Sequence, residues 1–357
     1  MLRVETLPAG HGDCIWIEYG DPDVPSRILI DGGATGTYKR ALQRKLAKLS
    51  DEEREFELLV VTHIDGDHIS GILDLVKDQE IGFRAKDVWF NGYRHLPNEA
   101  PTTLGPVQGE MLTDYLVKPG VRWNAAFNKG AVVVSSAKDL PRRELDGDFA
   151  LTVLSPTLQD LAPLKPKWEK EVMKAGLDPN SKRPEEVESS EGFELLDGSL
   201  PDLEELCAIP FCEDNSEANG SSIALLLEFE GHRVLLAGDA HPSDLKDAID
   251  RLRQGGKFGL DACKLSHHGS KFNTERHLLE NLDCDTYVFS TNGAYFKHPD
   301  REAVARVIKW GHANPRLIFN YRSRYNCLWE NKDLREEYGY FATFPKAGSE
   351  GAVLTFE

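Results

Sequence analysis

Two histidines and two aspartates fall within the run His63-Ile64-Asp65-Gly66-Asp67-His68, directly after the apolar stretch Leu58–Val61. A short apolar run without alternation reads as a strand buried on both faces, which belongs to sheets covered by helices. A solvated loop has little reason to collect two imidazoles at such a strand end. A metal site does, because imidazole and carboxylate are ligands for Zn, Mn or Fe. A turn there can aim alternate side chains at one spot, with Gly66 allowing the backbone to bend tightly. The competing reading is a helix-capping loop with Asp67 near the N-cap.

The rest of the chain alternates strands and helices. Leu2–Leu7 and Cys14–Tyr19 flank a turn and read as a hairpin, followed by the strand Arg27–Ile30. Helical spacing predicts Tyr38–Leu49 and Ile69–Val76. Asp87–Phe90, Ala131–Val134 and Ala150–Leu154 read as strands, with a helix over Leu104–Leu116. Later strands are predicted at Ile223–Phe229, Arg233–Ala237, Ala262–Leu265, Thr286–Phe289 and Arg316–Phe319. Helices are predicted at Leu245–Leu252, Glu275–Leu282 and Arg301–Trp310. The pattern occurs twice, suggesting two similar halves, residues 1–156 and 218–357.

Between the halves the composition changes. From Ser181 to Glu217 there are twelve acidic residues against two basic ones. Such a segment cannot easily bury enough apolar surface to offset its ordering entropy. Residues 157–217 are therefore expected to be an acidic insertion with one helix near Trp168–Lys174, either a solvated loop, a lid or a contact for a protein partner.

Other motifs follow strands in the same way. Leu235-Leu236-Ala237-Gly238-Asp239 ends in a glycine and a carboxylate, and Lys264-Leu265-Ser266-His267-His268-Gly269-Ser270 carries adjacent histidines. His298 precedes Pro299 in a later loop. Asp31, His63, Asp239, His267 and Asn292 each directly follow a predicted strand, and ligands of open α/β structures gather at such edges.

Charge and cysteine usage narrow the classes. The formal net charge of −17 excludes an electrostatic, sequence-blind DNA coater, but not a phosphodiesterase with local metal charge. The six cysteines show no CxxC pair and read as reduced thiols. With no spanning apolar stretch and no signal-like start, a cytoplasmic location without a membrane part is expected.

In order, these motifs resemble the metallo-β-lactamase fold superfamily, and within it the hydrolase domain of ComEC-type competence proteins. The resemblance rests on Gly10-His11-Gly12-Asp13, Ile30-Asp31-Gly32-Gly33, His63–His68, Asn219–Ser222, Gly238-Asp239, His267-His268-Gly269-Ser270 and His298-Pro299. It implies a four-layer αββα sandwich with two divalent metal ions, zinc or manganese, at one edge. By family position His63 and Asp65 serve one metal, Asp67, His68 and one of His267/His268 the other, and Asp239 bridges them. The family's additional histidine on the first metal is missing, leaving Asn219, Ser222 or His298 for that place. The oxygen-richer ligand set tilts the expected metal toward manganese.

The implied chemistry is a metal-dependent hydrolase, foremost a phosphodiesterase or nuclease, with a metal-bridged hydroxide as nucleophile and Asp67, His267 and His298 as catalytic candidates. Lys271 and Arg322-Ser323-Arg324 are candidate phosphate grips. The alternatives are a hydrolase of a small ester, lactone or thioester, and a non-catalytic metal-bound subunit of a larger complex. Of the adjacent histidines, the turn beginning at Gly269 favours His268 as ligand and His267 beside the site.

Overall fold

The computed structural model describes residues 1–97, 107–135, 139–164, 200–253 and 255–357. One sheet is built from β1 (Leu2–Thr6), β2 (Ile15–Tyr19), β3 (Ser26–Ile30), β4 (Leu58–Val60), β5 (Val88–Trp89) and β14 (Ala352–Phe356). Their order is β14-β1-β2-β3-β4-β5. The second sheet contains β6 (Arg142–Glu144), β7 (Ala150–Ser155), β8 (Ala224–Phe229), β9 (His232–Leu236), β10 (Ala262–Lys264), β11 (Thr286–Phe289), β12 (Arg316–Phe319) and β13 (Phe341–Thr343). These strands lie side by side in chain order.

Each sheet joins an antiparallel half to a parallel half. β3, β4 and β5 pair in parallel, as do β9 through β13. The carboxyl ends of the parallel strands carry Asp31, His63, Asp239, His267 and Asn292.

Alternation within the strands explains the layering. Ile15, Ile17, Ile28, Ile30, Leu58, Val60 and Trp89 share one core with the second sheet. Their neighbours Trp16, Leu29, Leu59, Val61 and Val88 pack into another core with residues of the helices Gly66–Lys77 and Val107–Leu116. On the second sheet, Leu235 and Cys263 line a cavity with Leu245 and Leu278 of flanking helices, while Val234, Leu236 and Val288 face Val4 and Thr6 of the first sheet. Helix, sheet, sheet and helix therefore stack in four layers, and the continuous apolar runs in the sequence are strands covered on both faces.

Several boundaries differ from the sequence expectations. The helix expected from Ile69 runs over Gly66–Lys77, so Asp67 and His68 occupy its first turn. The helix Pro242–Leu252 begins at a proline, whose missing N–H is harmless there. Ala131–Val134 is not a strand. The Asn91 side chain satisfies both backbone groups of Val132, at 2.9 and 2.8 Å, leaving only an isolated bridge at Val134. The helix expected over Glu275–Leu282 spans Arg276–Glu280, where Glu275 caps it and Leu282 starts another strand. Helix Val107–Leu116 occupies the described part of the span expected from Leu104. The helix expected near Trp168–Lys174 lies outside the described residues.

The described ends of the 157–217 segment do bury apolar side chains, namely Leu161, Leu164, Leu203 and Cys207. The returning end is tied down by Arg306, whose guanidinium donates to the Ile209 carbonyl at 3.1 Å and the Thr274 carbonyl at 3.1 Å. Among the described residues, no helix is long and apolar enough to cross a membrane.

Candidate metal centre

Three histidines present the same nitrogen to one carboxylate. His68 Nδ1 lies 2.7 Å from Asp31 Oδ2, and Asp31 also accepts from the Thr62 backbone N–H at 2.8 Å and the Thr62 hydroxyl at 2.7 Å. A carboxylate so used accepts, so His68 Nδ1 donates and its Nε2 is left toward the interior. His268 Nδ1 donates to the Ser290 carbonyl at 2.9 Å. His63 Nδ1 lies 3.0 Å from Thr62 Oγ1, whose own proton goes to Asp31. The three Nε2 atoms lie 3.8, 3.3 and 3.6 Å from Asp239 Oδ2 for His63, His68 and His268 respectively.

Asp67 completes one side, with its Oδ2 3.5 Å from His268 Nε2. His68 Nε2 and His268 Nε2 approach to 3.3 Å. Asp67, His68 and His268 form one group of mutually close donor atoms, and His63, His68 and Asp239 form another. Asp65 Oδ2 stands 3.8 Å from His63 Nε2 and its side chain is 45% exposed. His63 Nε2 and Asp239 Oδ1 are buried without a hydrogen-bond partner. Nitrogen lone pairs converging on carboxylates, each imidazole oriented through its other nitrogen, fit divalent cations. Hydrogen bonding within the protein would not leave them so.

Local backbone explains the placement. Asp65 is extended and the helix starts at Gly66, so Asp67 and His68 point from its first turn, where the helix dipole favours a carboxylate. Gly12 is required because a Cβ there would meet the Asp67 carbonyl oxygen at 1.7 Å. His267 and His268 both adopt left-handed conformations, φ 45° and 56°, which turns the chain sharply after β10. His268 enters the buried cluster, while His267 is directed to Asn273 Oδ1 at 3.0 Å, Asn219 Nδ2 at 3.2 Å and Asp214 Oδ2 at 3.4 Å.

Electrostatics follow from burial and proximity. Burial pushes His63 down to about 4, helped by His68. Burial opposes charge on His68 too, but Asp239 and Asp31 outweigh it and raise the imidazole well above its ordinary value. For His268 burial is likewise overcome, by Asp239 and Asp13, reaching about 9. Burial alone would raise Asp239, yet His68, His268 and His267 hold it well below the carboxylate range. The field that retains protons here also attracts a cation, so metal binding competes with protonation.

Sequence reasoning named most of these residues but missed their supports. Lys264 is buried, ion-paired to Asp13, with Nζ 4.0 Å from Asp239 Oδ1. Asp214 belongs to the acidic segment and bonds Asn219 Nδ2 at 2.6 Å. Of the three residues considered for an extra ligand, Ser222 and Asn219 make hydrogen bonds to other groups, whereas His298 Nδ1 is buried without one. Ser222 Oγ accepts from the Asp239 backbone N–H at 3.0 Å, and Asn219 holds Asp214 and His267. His298 lies beside the cluster, its ring 5.3 Å from that of His267. Two expected phosphate grips are already paired: Lys271 with Glu302 at 3.0 Å, and Arg322 with Glu330 at 2.9 Å. Arg324 contacts the Tyr325 hydroxyl at 2.6 Å.

Residues 7–93 match the metallo-beta-lactamase superfamily. That stretch contains Asp13, Asp31 and the His63–His68 run. With the four layers described above, the fold is the α/β sandwich of that superfamily. No curated protein sequence matches the chain. Zn(2+)-bound PqqB from Methylobacterium extorquens is similar at 12% identity and TM-score 0.43, with 100% of both chains covered. The short form of human tRNase Z is similar at 11% identity and TM-score 0.40, covering 99% of this chain and 98% of that one. A CmlA beta-hydroxylase mutant gives 13% identity and TM-score 0.41 over 99% of this chain, which spans 54% of that protein.

Proposed function

We propose that the protein is a metal-dependent phosphodiesterase, in line with the resemblance of its motifs to the hydrolase domain of ComEC-type competence proteins. The observation that carries this reading is the convergence of three Nε2 atoms, 3.3 to 3.8 Å from one Asp239 oxygen, with each imidazole fixed through its other nitrogen. Asp67, His68 and His268 would hold one ion, His63 and Asp65 the other, with Asp239 between them. When bound, two divalent ions, zinc or manganese, would supply Lewis acidity there and lower the pKa of bound water toward neutrality. Three carboxylates among these donors make manganese the better match.

The chain's own part is positioning. Asp31 and the Ser290 carbonyl lock the imidazoles of His68 and His268, and the Asp239 backbone is held by Ser222. His267 and His298 stand beside the cluster, where they can contact an oxygen of the bound substrate. The negatively charged oxygens of a phosphodiester would suit cations held by donor sets that share one carboxylate.

The test is a comparison of bis-p-nitrophenyl phosphate, a lactone and a thioester with protein loaded with manganese or zinc. Preferential phosphodiester hydrolysis that disappears on chelation is expected. Turnover of the lactone or thioester without the phosphodiester would establish the alternative instead.

A further inference from the structure

Exposed aromatic side chains adjoin the histidine cluster through His267 and His298. The loop after β11 carries Tyr295 and Phe296, 71% and 46% exposed. The two rings meet edge to face at 4.7 Å, and His11 stacks on Tyr295 at 5.4 Å. Phe296 lies parallel to the His298 ring at 5.9 Å and 6.2 Å from the ring of His267. A line of aromatic rings thus runs outward from the histidine next to His268.

The platform is prebuilt. Asn292 donates its backbone N–H to the Gly10 carbonyl at 2.8 Å, which ties this loop to the turn bearing His11. Gly10 in turn donates to the Tyr321 hydroxyl at 2.9 Å. The Lys297 N–H closes the loop onto the Gly293 carbonyl at 3.0 Å. Gly293 is required at φ 72°, since a Cβ would lie 2.3 Å from the Tyr325 ring. Large exposed aromatic faces on a well-bonded loop beside a hydrolytic centre mark a place where a planar group binds.

Charge selects which planar group. Of the cations expected to grip phosphate, Lys271 and Arg322 are ion-paired with Glu302 and Glu330, Arg324 lies over the Tyr325 ring at 4.9 Å, and the chain carries a net charge of −17. A long polyanion gains little from a chain of that net charge, so a short substrate, with its phosphate at the proposed metal centre and its planar group on the rings, fits better. We infer that Tyr295 and Phe296 stack a nucleobase of the substrate, making the preferred substrate a short, unpaired nucleobase-bearing phosphodiester. This inference rests on the phosphodiesterase reading.

The experiment compares a dithymidine phosphodiester with its abasic analogue, in wild-type protein and in Tyr295→Ala, Tyr295→Phe and Phe296→Ala. Base stacking supports a preference in kcat/KM of about 10-fold or more for the base-bearing substrate, carried mainly in KM. Tyr295→Ala and Phe296→Ala are expected to remove most of that preference, and Tyr295→Phe to keep it. Calorimetric binding of thymidylate against deoxyribose phosphate gives the same ratio without turnover. Equal use of both substrates by the wild type, or an equal loss on both in Tyr295→Ala, overturns the stacking role and leaves the phosphodiesterase reading intact. Failure to cleave the dithymidine, its abasic analogue and bis-p-nitrophenyl phosphate overturns both.

Discussion

The two sides of the metal centre are built to different standards. The side of Asp67, His68 and His268 is buried and draws on the helix after β4 and the turn after β10. Its imidazoles are anchored by Asp31 at 2.7 Å and the Ser290 carbonyl at 2.9 Å. The side of His63 and Asp65 has one buried imidazole, whose Nε2 is 3.8 Å from both Asp65 and Asp239, and a carboxylate that is 45% exposed. A rigid donor set loses less conformational freedom on binding an ion, and its lower dielectric strengthens the attraction. On the proposed two-metal reading, the buried side would bind its ion more tightly and the open side more weakly.

Substitutions sharpen that difference in a definite order. Asp67→Ala should have the largest effect, lowering activity by more than about 100-fold and removing tightly bound metal, because losing a ligand exceeds the 10–100-fold typical of a group supporting one. Elemental analysis of the purified variant, with circular dichroism to confirm folding, checks it. Asp31→Asn follows, with metal affinity or activity down by about 10- to 100-fold, since His68 loses the carboxylate that orients it. Asp65→Asn should weaken only the second ion, so that higher metal concentrations restore turnover. Equal losses in Asp65→Asn and Asp67→Ala would break the distinction between the halves.

The smallest effect is a control outside both halves. Burial, then Asp160 and Glu213, raises Asp244 from 3.8 to about 7. Between those values the folded protein holds a proton that the unfolded chain releases, so stability falls as pH rises through that window. Asp244→Asn should flatten this dependence and stabilise the protein near neutral pH by at most about 3 kcal/mol, with metal content unchanged. Urea midpoints measured across the window decide it, and a steeper dependence in the variant would contradict the assignment.

What the sequence made legible, and what it hid, follows the same physics. Strand ends were readable because apolar runs such as Leu58–Val61 and Leu235–Ala237 stop abruptly at histidine or aspartate. The place of Asp67 beside the histidines was readable in outline, but its position inside a helix was not, since Asp65 caps with its backbone extended and makes no side-chain cap bond. Lys264 looks like an ordinary strand residue. Its burial is tolerated only because Asp13 and Asp239 meet it from distant segments. Asp214 was hidden among twelve acidic residues, as nothing in composition separates the one that bonds Asn219 and Asn273. Ala131–Val134 misled because its apolar pattern serves packing while Asn91 occupies the Val132 backbone.

A metal titration of the apo-protein, monitored by calorimetry with manganese and repeated with zinc, tests the central claim most directly. Two equivalents are expected to bind in separate steps, the tighter one lost in Asp67→Ala and the weaker one selectively impaired in Asp65→Asn. A single equivalent, two indistinguishable ones, or full hydrolytic activity in metal-free protein would contradict the account.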